Sequence, residues 1–175
     1  MAYSCVKLLT QKGMKQNKST PIEVDGYATE PSIGIRVRGQ TPIAFMHRSS
    51  LGAETIYFAE DIRSTPRCIS PGLGGHHGWP SVATAPNGTT AVIWVCAAES
   101  RRDEAALYLW RSDQEEVEVL HRAPVIRWPA ATWADGWLWA ACAVSGDNHH
   151  IALIGIGPDG RTIRRVLDAS EHHLR

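Results

Sequence analysis

Three prolines set the period of this chain. Pro31, Pro80 and Pro129 stand 49 residues apart, and each opens the same succession of short apolar runs. A small residue follows each proline (Ser32, Ser81, Ala130), then a Gly turn at Arg38-Gly39, Asn87-Gly88 or Asp135-Gly136, then a second run at 41–46, 90–95 or 137–142. A polar loop, a third apolar run (56–58, 107–109, 151–154) and a fourth, amphipathic run (67–69, 117–120, 163–167) complete the unit. Short runs rich in β-branched and aromatic residues, separated by Gly, Asn and Asp turns, read as antiparallel strands. Four strands in roughly 40 to 50 residues is the period of a β-propeller blade. The expected fold class is all-β and β-propeller-like, with three four-stranded blades over about 29–72, 78–122 and 127–170 in a unit spanning 29–175.

Residues 1–28 hold two more strand candidates, Tyr3–Leu9 and Pro21–Asp25, around a polar loop. They match the outer pair of a blade whose inner pair is missing, and are expected to form an N-terminal β-hairpin that docks on an open blade edge. Closed propellers carry about four to eight blades, so three cannot close alone. An open wedge would expose the apolar faces of its terminal blades. The simplest cover is a second copy, a two-fold homodimer that closes a two-chain, six-bladed propeller. A piece of a longer propeller and a β-sandwich are the alternatives.

The pattern Pro-Ser-x-Ala-x-x-x-x-Gly leading into a Trp-containing strand is clearest from Pro80 to Trp94. It resembles the blades of sialidase-like and related six-bladed propellers over about residues 29–170. The resemblance implies architecture only. The Ser-x-Asp-x-Gly-x-Thr-Trp box of many sialidase blades is missing, and the family's arginine triad and tyrosine nucleophile find no matching positions, so sialidase chemistry is not implied.

Charge and composition narrow the partners. Lys+Arg 18 balance Asp+Glu 18, so no global field draws nucleic acid or an anionic membrane surface. No apolar run approaches the length of a membrane span, and the N-terminal sequence lacks the pattern of a secretory leader. A cytoplasmic, reducing location is therefore expected, with Cys5, Cys68, Cys96 and Cys142 as reduced core thiols.

In a propeller, the loops between consecutive blades share a face with those joining second and third strands. Here that face collects most of the histidines. Its candidate ligand-binding residues are His76 and His77 in a Gly-rich segment, Trp79, Arg101 and Arg102, Trp128, and His149 and His150. Glu30, Trp79 and Trp128 immediately precede the repeat prolines and so occupy equivalent positions around the ring mouth. Tryptophan there can stack on a sugar ring or wedge between blades, and guanidinium groups can grip an anion. Adjacent histidines point to opposite sides of an extended chain, so each pair offers one metal ligand at most, and no metal or cofactor is expected. These residues favour a non-catalytic propeller that binds a carbohydrate or small polar ligand. A glycan-active hydrolase or lyase, drawing on Glu30, Glu54, Glu99, Asp103 or Asp147, and a scaffold without small ligand remain open.

Overall fold

The computed structural model describes residues 26–98, 104–114, 116–146 and 149–168. The expected strands Tyr3–Leu9 and Pro21–Asp25 of the N-terminal hairpin lie outside the described residues. The described chain is all-β: three four-stranded antiparallel sheets, each a meander of strands consecutive in sequence. Sheet 1 comprises β1 (Tyr27–Ile33), β2 (Ile43–Arg48), β3 (Glu54–Ala59) and β4 (Arg67–Cys68). Sheet 2 comprises β5 (His76–Thr84), β6 (Thr90–Ala97), β7 (Ala105–Arg111) and β8 (Val117–Ala123). Sheet 3 comprises β9 (Val125–Ala134), β10 (Trp137–Ser145), β11 (His150–Ile156) and β12 (Thr162–Asp168).

The Gly turns act as the sequence requires, with two geometries. Asp135 and Gly136 both take left-handed φ, 51° and 78°, so Ala134 pairs directly with Trp137 in a two-residue turn whose twist matches the strands. At Asn87-Gly88 only the glycine is left-handed, φ 96°. There the Ala85 N–H reaches Thr89 O and the Gly88 N–H reaches Ala85 O, while the Asn87 side chain accepts the Thr89 N–H.

Sheet 2 lies between the other two, and its middle strand shows it: β6 is buried on both faces from Thr90 to Cys96. One face, with Val82, Val92, Trp94 and Trp110, packs on Ala44, Met46, Ile56 and Phe58 of sheet 1. The other, with Ile93, Val95, Leu107 and Leu109, packs on Leu138, Ala140, Cys142 and Ile154 of sheet 3. Burying each such side chain stabilises the fold by about 1.5–3 kcal/mol. Cys96 and Cys142 are buried free thiols and Cys68 is a half-buried one; burial raises both buried thiols to about 11.

The sheets meet along their inner strands. β5 packs against β1, β2 and β3, and β9 against β5, β6 and β7. The outer strands connect through long side chains, Arg67 over the Trp110 ring and Arg164 to the Leu120 carbonyl. Inner edges together and outer edges apart is the arrangement of blades around an axis. A serine at the same place in successive repeats stitches the inner strands. The Ser32 hydroxyl accepts the Val82 N–H at 3.1 Å, and the Ser81 hydroxyl accepts the Ala131 N–H at 3.0 Å. The third repeat has Ala130 at this place and no described sheet beyond it.

Sheet 3 ends the described stack. Along β10 alternate residues are buried against sheet 2, while Trp137, Trp139, Ala141 and Ala143 between them are only half-buried. Leu153 on β11 is likewise half-buried and Leu167 on β12 is 53% exposed. Sheet 1 differs on its outward face. There Phe45 stacks on Tyr57 with 5.8 Å between ring centroids and His47 meets the Tyr57 ring edge-on, and both Phe45 and His47 are buried.

Candidate functional site

Register fixes which loops share a face. His76 pairs with Ala97, and Ala97 and Ala123 both pair with Ala105. The connections between sheets therefore emerge at the same end as the β2–β3, β6–β7 and β10–β11 loops. The second and third sheets begin earlier than the expected blade bounds imply. β5 already begins at His76, and a single residue, Pro124, separates β8 from β9.

The reason is that the strands run through the repeat prolines. An edge strand tolerates proline at a bulge, where the missing N–H is not needed by the ladder. Pairing slips between Thr29 and Ser32, between Gly78 and Ser81, and opposite Ala141–Ala143 in sheet 3. At each slip the residue before the proline is left-handed: Glu30 at φ 53°, Trp79 at 51° and Trp128 at 50°. Glu30, Trp79 and Trp128 thus sit within the inner strands and not in loops at the mouth. Their strands are the edges that meet at the centre of the fan. Trp79 is 41% and Trp128 66% exposed. Glu30 is exposed too, and one of its carboxylate oxygens accepts the Trp79 N–H at 2.5 Å.

The adjacent histidines divide as an extended chain divides them. His77 is buried, and its Nδ1 accepts the indole N–H of Trp94 at 3.0 Å. Indole only donates, so the ring proton is on Nε2 and is given to the Leu73 carbonyl at 3.1 Å. The Cys96 thiol completes the group, donating to the Gly74 carbonyl at 3.3 Å. Both nitrogens of His77 are therefore occupied in tying the Gly-rich loop to the core. His76 points outward, with 66% of its side chain exposed, and its Nδ1 lies 3.4 Å from Glu54.

Burial holds the His77 pKa below its ordinary value, against an opposing hydrogen bond to Leu73; burial lowers that of His121 as well. A histidine with a depressed folded pKa binds fewer protons folded than unfolded, so stability falls as the pH drops below the unfolded value of about 6.5. Urea midpoints should therefore decline between about pH 7.5 and 5.5. His77→Gln should flatten the decline, leaving the share due to His121. An equally steep decline in that variant would remove His77 from the account.

Of the remaining candidates, Arg101 and Arg102 lie outside the described residues. His149 is exposed and His150 half-buried, beyond β10 at the loop end. The described candidates thus fall into a rim pair, Trp79 and Trp128, and flanking histidines. A charged cluster also lies at this end that the sequence reading did not assemble. Glu54, buried, pairs with Arg48, which lies over the Tyr27 ring. Arg48 and Glu54 are direct cross-strand partners, a signal available once the hairpin register is known.

These features define a repeat protein of blade-like four-stranded sheets with an exposed aromatic inner rim. No family model matches the sequence, and no curated protein matches it. Among solved structures the chain is similar to the GH43 endo-arabinanase from Bacillus licheniformis, at 12% identity and a TM-score of 0.38, over 85% of this chain and 82% of that chain. Likeness at that level carries no argument about what this chain binds or does.

Proposed function

We propose that the chain is a non-catalytic ligand-binding module, half of a six-bladed propeller completed by a second copy, and that Trp79 and Trp128 stack on a carbohydrate at its inner rim. The observation behind this reading is their backbone conformation. A left-handed residue with a side chain costs about 1–2 kcal/mol, and a following proline restricts the residue further. Glycine would fill both positions without strain. Tryptophan instead occupies them with 41% and 66% of its surface still exposed and open to a ligand. Backbone strain of this kind clusters at functional sites. His76, three residues before Trp79, flanks the same surface. The second copy is argued from the half-buried apolar face of sheet 3.

Trp79→Gly and Trp128→Gly together separate binding from packing. Both remove backbone strain, which offsets the packing lost from the buried part of each indole, so the variant should stay folded. Affinity for the best oligosaccharide found on a glycan array, measured by calorimetry, should fall by about 1–3 kcal/mol. A lower melting temperature with unchanged affinity would assign both residues to packing.

A further inference from the structure

We infer that Glu30 makes the inner rim selective for a saccharide bearing a protonated amine. This rests on the reading of Trp79 and Trp128 as sugar-stacking residues, and adds a charge requirement to it.

Glu30 holds the repeat position that tryptophan holds in the next two sheets, with the same left-handed backbone. Its carboxylate is fixed in place. Oε2 accepts the Trp79 N–H, and both oxygens lie over Gly78, where an added Cβ would stand 3.1 Å from Oε2 and 3.8 Å from Oε1. A carboxylate offers about four acceptor positions, of which the Trp79 N–H takes one. Among the described residues, no Lys, Arg or His forms an ion pair with Glu30. Two other carboxylates at this end are already matched, Glu54 by Arg48 and His76 and Glu104 by Arg122. Arg127, exposed beside Trp128, belongs to sheet 3, whereas Glu30 belongs to sheet 1. Among the described residues, the Glu30 carboxylate is therefore a negative charge at the rim with no cationic side chain paired to it.

An anchored carboxylate held at the Trp79 backbone, on a rim that carries two exposed indoles, suits a cation. The ring faces attract positive charge, and a charge-assisted hydrogen bond from an ammonium is roughly twice as strong as one from a neutral hydroxyl. A sugar ring carrying an ammonium offers both contacts, its C–H face to the indoles and its amine to Glu30. Acetylation of that amine removes the charge and leaves the ring.

The test compares glucosamine oligomers with their fully N-acetylated counterparts, by calorimetry in low salt at a pH where the amine is protonated. The parent protein should bind the amine form at least about tenfold more tightly. Glu30→Gln keeps an oxygen to accept the Trp79 N–H but has no charge. It should erase the preference, bringing the amine form to the affinity of the acetylated one, and melt as the parent does. Equal affinities in the parent, a preference that survives Glu30→Gln, or no binding of either oligomer would each overturn the inference. If Trp128→Gly abolishes binding of two equally bound oligomers, the stacking reading stands and the charge requirement alone fails. If Trp128→Gly leaves the amine form bound, the stacking reading itself fails.

Discussion

Trp94→Ala is expected to cost about 3–5 kcal/mol, the range for truncating a large buried aromatic side chain. A small domain has about 5–15 kcal/mol in total, so the variant should be partly unfolded at room temperature or close to it. Trp94 is fully buried where sheets 1 and 2 meet, among Met46, Ile56 and Phe58, and stacks on Tyr108 with 5.6 Å between centroids. Its indole N–H is also the partner of His77 Nδ1, so alanine leaves a buried acceptor unpaired on top of the cavity. Trp94→Phe keeps much of the apolar area but loses the donor and leaves a smaller cavity, and should cost about 1–3 kcal/mol. Urea midpoints at constant slope measure both. A Trp94→Ala variant melting within a degree or two of the parent would show that this interface does not hold the sheets together. The same residue links core to rim, because the His77 it anchors ties down the loop that leads into His76 and Trp79.

Much of the architecture was legible because the repeat places the same physical demands on each unit. The Gly turns and the alternation of small apolar runs specify hairpins, and the second, third and fourth runs fall within observed strands except at Thr41, Pro42 and Ile69. The inner strands were less legible. Proline reads as a strand boundary, whereas β1, β5 and β9 each pass through theirs by a bulge. That shift moves Glu30, Trp79 and Trp128 from a loop to the sheet edge, and no single-residue propensity announces it, since tryptophan is not a left-handed residue. Recurrence at the 49-residue period was the available signal. His77 was misleading for another reason. A histidine in a Gly-rich segment looks free until its neighbour across the ladder, Cys96, and Trp94 two residues earlier are seen to enclose it. The pairing of Glu54 with Arg48 was not legible because it depends on register rather than on composition.

In solution the protein is expected to run at twice its 19.2 kDa chain mass, with little monomer at micromolar concentration. The internal interfaces supply the reason. Each junction sets the forward face of one sheet against the backward face of the next, and sheet 2 presents the stacked pair Trp94 and Tyr108 to sheet 1. Sheet 1 carries the corresponding stack, Phe45 and Tyr57, on the face turned away from sheet 2. Sheet 3 has the forward face still to be covered, around Trp139, Ala141 and Leu153. A two-fold pair in which sheet 3 of each chain meets the Phe45–Tyr57 side of the other would repeat the internal junction twice and cover the sheet 3 face. Leu153→Glu tests this with little harm to the single chain. The position is half-buried and its cross-strand partner is Arg165, which can pair with the new carboxylate in the isolated chain. In the closed pair the same charge is taken out of water, at a cost of several kcal/mol. Light scattering should then report a folded monomer, with dimer dissociation raised by about a hundredfold or more. A parent protein that is monomeric and stable at these concentrations would sink the ring, as would a Leu153→Glu variant that dimerises as well as the parent.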